Sequence, residues 1–101
     1  MWTGDDDVSV GALKAYEESK RTDVKILVGG GGSKAIVKRI LDDDPLVQAT
    51  VTYPPAMIAT GAREAVKIVK GAVPASKQIV VPAEVVTPEN AKDFYYPDSA
   101  Y

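Results

Sequence analysis

The sequence predicts an α/β protein in which helices alternate with parallel strands, and three observations predict it. Two short runs rich in β-branched residues, VKILVG and VQATVTY, are separated by stretches of helical spacing, the arrangement of a doubly wound parallel sheet. A turn signal closes each run: four glycines follow the first and Pro54-Pro55 the second. The composition is that of a globular chain, with 101 residues, 46% hydrophobic and 26% charged, which suffices for one small domain and a modest core.

The elements follow in order. GDDDVSVGALKAYEESK reads as a turn and a helix, with an aspartate of Asp5–Asp7 capping free N–H groups and the others favoured by the positive helix end. Val8, Ala12, Ala15 and Ser19 form a narrow stripe of small residues, with Leu13 and Tyr16 beside it. Val24 to Gly29 is a buried strand. A helix from about Ser33 places Ile36, Val37, Ile40 and Leu41 on one face, and DDDP ends it because Pro45 pushes its predecessor out of helical geometry. Asp42–Asp44 then lie past that helix as a solvated loop, without the spacing or glycine of a calcium site.

Val47 to Tyr53 is the second strand. AMIATGAREAVKIVKG is a third helix with a broad apolar face (Ile58, Ala62, Ala65, Ile68, Val69) and Gly71 as its C-terminal stop. SKQIVVPAEVVT carries one or two short strands interrupted by Pro82. Thr87-Pro88 starts a last helix, with Thr as N-cap and Pro at the first helical position. The aromatic tail (Phe94, Tyr95, Tyr96, Tyr101) packs onto the body.

Several chemistries are excluded. With no Cys and no His there is no thiolate nucleophile, no Ser-His-Asp triad and no zinc site of the usual kind. A net charge of −2 gives no electrostatic footprint for nucleic acid or an anionic membrane. No apolar run reaches the ~20 residues of a membrane span, and MWTGDDDVSV has neither the basic start nor the apolar stretch of a signal peptide. LVGGGGSKAIVKRI matches no phosphate loop: the order is Gly-Ser-Lys with no Ser or Thr after Lys34, and Lys34 also stands where a dinucleotide fingerprint needs its third glycine. Nothing nominates a general acid, so no catalytic residue, metal or cofactor is assigned.

In such sheets, ligands bind outside the carboxyl ends of the strands. That rule gathers Asp5–Asp7, Gly29–Gly32 and Tyr53–Pro55 at one rim, where glycines let the backbone turn and approach a ligand closely. Each candidate has a plainer alternative: Asp5–Asp7 as helix cap, the glycines as a tight turn, Tyr53 as a core aromatic at a strand end.

DDDVSVGALKA, VKILVGGGG, ATVTYPPAMIATGAREAVKIVKG and VVPAEVVTPENA, in that order, resemble the C-terminal part of a type I periplasmic sugar-binding protein, the ribose/galactose-type solute receptor of ABC importers. The resemblance implies a two-lobed fold with a sugar clamped between lobes, closed on ligand and then read by a membrane permease, with no catalysis. It implies that about two thirds of the usual chain lies on the N-terminal side of this piece. Residues 1–53 then belong to the second lobe, 54–80 to the first, and 81–101 to the returning hinge and tail, with the crossing near Tyr53 to Pro55. A third helix without its partner sheet leaves an apolar face that favours self-association.

Carried over position by position, Asp5-Asp6 occupy the place of the family's Asn-Asp, with Asp5 accepting where the usual Asn both donates and accepts. Gly31 stands where a sugar-binding Asp is expected, and Tyr53 replaces a polar amide, offering a ring to stack on and a hydroxyl. The expected ligand-binding residues are therefore Asp5, Asp6, Gly31 and Tyr53, for a monosaccharide, polyol or similar hydroxylated solute rather than ribose. The rivals are the effector domain of a lactose-repressor-type regulator, which shares the fold, and a self-sufficient small α/β binding domain or enzyme. A periplasmic or outward-facing location is implied for the full-length protein.

Overall fold

The first three residues already belong to the sheet. The computed structural model describes residues 1–53, 56–73, 76 and 78–100. Trp2 bridges Val28 in parallel, the Val28 N–H donates to the Met1 carbonyl at 2.9 Å, and the Thr3 N–H donates to the Val28 carbonyl at 3.1 Å. Gly4, with φ +71°, turns the chain into helix α1 (Asp6–Ser19). Strand β1 (Leu27–Val28), helix α2 (Lys34–Leu41), strand β2 (Val47–Val51), helix α3 (Ala56–Val69), strand β3 (Val85–Val86) and helix α4 (Ala91–Phe94) follow. The alternation of an α/β fold is as the sequence predicts.

Local chemistry explains the boundaries. Asp5, in extended conformation, caps α1 by accepting the Asp7 N–H, and Lys20 in left-handed geometry ends it. Ser33 caps α2, whose Ile36, Val37 and Ile40 are fully buried. At the end of α3, Gly71 (φ +88°) donates to Ile68 and Ala72 donates to Lys67, the paired bonds of a glycine-stopped helix. The last helix starts later than expected: α4 has Asn90 rather than Thr87 as its N-cap. Pro88 lies in the turn before it, where the Thr87 carbonyl accepts from Asn90 and Ala91 and Asn90 Oδ1 accepts the Thr87 N–H at 2.7 Å. Asp42 caps the end of α2 and Asp43 and Asp44 lie beyond it, but Asp44 is tied to Arg39 at 2.9 Å and is not simply solvated.

Three expectations change. The buried face of α1 is Asp6, Ser9 and Leu13, whereas Val8 of the small-residue stripe is 56% exposed. Within the sheet, β1 and β2 pair in parallel, Leu27 with Val47 and Val28 with Ala49 across an irregularity, but β3 runs antiparallel to β2. A parallel crossover requires the connecting helix to lie back along the sheet. Helix α3 does not, since none of its residues is buried. Among the described residues of the expected strand region SKQIVVPAEVVT, only Val85–Val86 forms a strand. The expected stop at Pro54-Pro55 and the packing of Tyr101 lie outside the described residues.

The core is Leu13, Leu27, Ile36, Val37, Ile40, Val47, Val86 and Ala91, ringed by Ala12, Leu41, Leu46, Phe94 and Tyr95. Each fully buried aliphatic side chain contributes about 1.5–3 kcal/mol. The tail is fastened by Lys34, whose Nζ donates to the carbonyls of Pro97 (3.2 Å) and Ser99 (2.6 Å).

Helix α3 stands away from this core. The radius of gyration is 17.0 Å, against about 13 Å for a compact chain of this length, and the longest dimension is 58 Å. Ile58 is 79% and Val69 88% exposed, with Val66 and Ile68 about half exposed. An apolar face of that extent favours association. The 101-residue chain is therefore expected to form larger species as its concentration rises, which sedimentation velocity reads directly. Ile58→Asp combined with Val69→Asp should hold it monomeric; an unaltered chain that stays monomeric at every concentration would contradict the argument.

Candidate functional site

Three segments converge where the parallel strands end. The turn before α1 brings Asp5, the loop after β1 brings Gly29–Gly32, and the end of β2 brings Tyr53. The Asp6 N–H donates to the Gly30 carbonyl at 2.7 Å, joining the first two. Gly31 bridges Thr52 in parallel, its N–H on the Val51 carbonyl at 2.7 Å, and that joins the third.

Asp5 and Tyr53 meet at the surface. Asp5 Oδ1 accepts the Asp7 N–H at 2.8 Å and Asp5 Oδ2 accepts the Tyr53 hydroxyl, which also lies 3.2 Å from the Gly30 carbonyl. The Tyr53 hydroxyl first, and the Asp7 N–H second, hold the Asp5 carboxyl below the usual carboxylate range, because both stabilise the charged form. Tyr53 is 39% exposed and its ring lies over Gly30, where an added Cβ would sit 3.7 Å from Cε1 and 3.1 Å from the Gly4 carbonyl oxygen. The result is a ledge with a half-exposed aromatic ring, a fixed carboxylate and glycine backbone.

The other two predicted residues are placed differently. Asp6 has no exposed surface: Oδ2 accepts the Ser33 N–H at 2.6 Å and Oδ1 accepts the Thr50 hydroxyl at 2.8 Å. Both carboxylate oxygens, expected to face a ligand, are engaged within the fold here. Gly31 is buried with φ +131°, a conformation that L side chains rarely adopt. Where the resemblance expects an aspartate, the loop therefore offers backbone only, and that N–H and carbonyl are bonded to Val51 and Tyr53.

Sequence reasoning missed the polar set beneath the rim. Ser33 and Thr50 clasp Asp6, while the Ser9 hydroxyl donates to the Asp5 carbonyl at 3.0 Å and lies 2.5 Å from Thr3 Oγ1. The two-residue spacing carried a signal, since Thr50 in β2 and Thr52 just past its end fall on one face of the extended chain and both are buried. Thr52 holds the returning chain: its N–H donates to the Glu84 carbonyl at 2.8 Å, and its hydroxyl accepts the Glu84 N–H at 2.9 Å.

Elsewhere, a shallow apolar groove of about 420 Å³ runs along Ala12, Ala15, Tyr16 and Ser19 toward Val24, at the opposite end of α1 from Asp5. Among the described residues no group of three or more His, Cys, Asp or Glu could hold a metal ion. No helix among them is long and apolar enough to cross a membrane.

No protein-family profile and no curated protein sequence matches the chain. Solved structures do. A galactofuranose binding protein matches with a TM-score of 0.76 at 22% identity, over 93% of this chain and 32% of that one. The periplasmic binding protein component of the arabinose ABC transporter from Shewanella sp. ANA-3 matches with 0.74 at 26% identity, over 93% and 31%. A Caulobacter myo-inositol binding protein matches with 0.74 at 24% identity, over 91% and 31%. The chain thus has the fold of part of a periplasmic binding protein and is similar over nearly its whole length to proteins that bind sugars and polyols. It spans about a third of the length of those structures.

Proposed function

We propose that the chain is the C-terminal portion of the substrate-binding component of an ABC importer for a monosaccharide, polyol or similar small hydroxylated solute. One observation carries the proposal: Asp5, Gly30 and Tyr53, distant in sequence, meet at the carboxyl ends of parallel strands in a fold shared with such proteins. The ligands named in the similar structures, galactofuranose, arabinofuranose and myo-inositol, are uncharged and hydroxyl-rich. A carboxylate acceptor beside an aromatic face suits that class: hydroxyls donate to the one and the C–H face of a ring packs on the other.

The mechanism would be closure, with no bond made or broken. Ligand held on this rim would be met by the other lobe, favouring a closed form that a membrane permease reads, on the periplasmic side. The core around residues 1–53 would be one lobe. Helix α3, which buries nothing here, would belong to the other, with the Thr52–Glu84 pair marking where the chain crosses and returns.

The test is the DNA sequence upstream of Met1. An in-frame extension of roughly 200 residues, the length of the absent lobes, opening with a signal peptide, is the expected result. A helix-turn-helix in that extension would assign the chain to a regulator, and a stop codon just before Met1 with its own ribosome site would overturn the two-lobe mechanism for this chain.

A further inference from the structure

The proposed rim has one charged side chain at its surface contact, Asp5, and its geometry is fixed from two sides. Oδ1 takes the Asp7 N–H of its own helix, and Oδ2 takes the Tyr53 hydroxyl from the end of β2. A phenol has one proton to give, and its charge-assisted bond to a carboxylate is stronger than one to the neutral Gly30 carbonyl, so the proton goes to Asp5. Tyr53 thus spends its donor on Asp5 while the residue stays 39% exposed.

We propose that Tyr53 is the positioning residue of the rim: it fixes Asp5 as a carboxylate acceptor, and so makes the site take an uncharged polyhydroxylated ligand and refuse the phosphorylated form of the same compound. The proposal rests on the sugar-site reading above and deepens it. The Tyr53 hydroxyl and the Asp7 and Val8 N–H groups take three of the carboxylate's roughly four acceptor positions, and only a donor can use what is left. The positive end of α1 lies beside it, and Asp5 itself takes that up as the helix cap. Asp6 lies buried on the next residue, Asp7 is exposed one further on, and Tyr53 faces it from β2. Among the described residues, the arginine and lysine ion pairs join Arg21 to Asp23, Lys38 to Asp42, Arg39 to Glu17 and Asp44, and Lys67 to Glu64, none of them with Asp5. An anion brought against this carboxylate meets like charge without a compensating partner.

The sign of the pH effect follows. Because Tyr53 lowers the Asp5 value, its contribution is fully present above the ordinary aspartate range and is lost as pH falls through the lowered value. Replacing the hydroxyl should lift the Asp5 midpoint back toward the ordinary one.

The experiment is a carbon-detected NMR titration of the Asp5 carboxyl in the 101-residue chain and in Tyr53→Phe. An upward shift confined to Asp5 in the variant is expected, and identical midpoints in the two chains would overturn the proposal. In the same samples, the amide shifts of Asp5, Asp6, Asp7 and Gly30 are followed with myo-inositol and with myo-inositol 1-phosphate as probes. The neutral polyol should move them and the ester should not; an equal response to the ester overturns the selectivity. Asp5→Asn, the second variant, should erase the discrimination, and its persistence there would also overturn it. An Asp5 midpoint that moves in Tyr53→Phe while neither probe shifts an amide upholds the positioning role and removes the sugar-site reading. A response to inositol with an unmoved midpoint does the reverse.

Discussion

Asp6→Ala is expected to destabilise the chain by about 3 kcal/mol or more, a large share of the roughly 5–15 kcal/mol that holds a domain of this size. The Asp6 carboxylate is fully buried and takes one bond from the Ser33 N–H and another from the Thr50 hydroxyl. Hydrogen bonds to a charged group contribute about 1.5–3 kcal/mol each, and truncation also strands two buried donors. Three elements would loosen together, since Asp6 opens α1, Ser33 caps α2 and Thr50 sits in β2.

The expected readout is a lower urea midpoint with an unchanged slope, which marks lost stability rather than a changed unfolded state. Asp6→Asn should cost less. Its amide oxygen can still accept the Ser33 N–H, and its NH2 can donate to the Thr50 hydroxyl oxygen. Thr50→Val removes one of the two partners, so in the Asp6→Ala background it should cost much less than alone. An Asp6→Ala chain that unfolds at the wild-type midpoint would mean that this carboxylate does not organise the rim.

That buried carboxylate also explains how much the sequence disclosed. Helix α2 was legible because apolar side chains at helical spacing do bury there, with Ser33 before them and Pro45 after them. The rim was legible in outline, since Asp5 as cap, glycines after β1 and Tyr53 after β2 all follow from local turn chemistry. The inward face of α1 was not. Apolar periodicity pointed to Val8, Ala12, Ala15 and Ser19, whereas the helix buries Asp6 and Ser9 beside Leu13. Two helix starts and a glycine turn meet there, each presenting backbone N–H groups, and such a junction is satisfied by acceptors rather than by aliphatic carbon. A pattern that counts apolar side chains cannot register it. The antiparallel β3 escaped for a different reason, because its direction depends on where α3 packs, and the sequence of α3 states only that it has an apolar face.

Gly29→Ala should be nearly as damaging as Asp6→Ala, and through the same contact. A Cβ built at Gly29 would lie 2.1 Å from Asp6 Oδ1 and 2.6 Å from Ser9 Oγ, far inside any tolerable contact. The Ser9 hydroxyl can rotate away at the cost of its bond to the Asp5 carbonyl. The carboxylate cannot move without giving up Ser33 or Thr50, so the methyl must either expel it or push the strand end aside. A loss of about 2–4 kcal/mol is expected, in the range of overpacking with a broken buried bond. The decisive measurement is the double variant. If the clash with Asp6 is the cause, Gly29→Ala should cost far less in a chain that already carries Asp6→Ala, leaving mainly the Ser9 term, and the two losses will be strongly non-additive. Strict additivity would show that Gly29 is required for its backbone alone, and the packing of α1 against the β1 loop would then have to be sought in Ser9 and Thr3 instead.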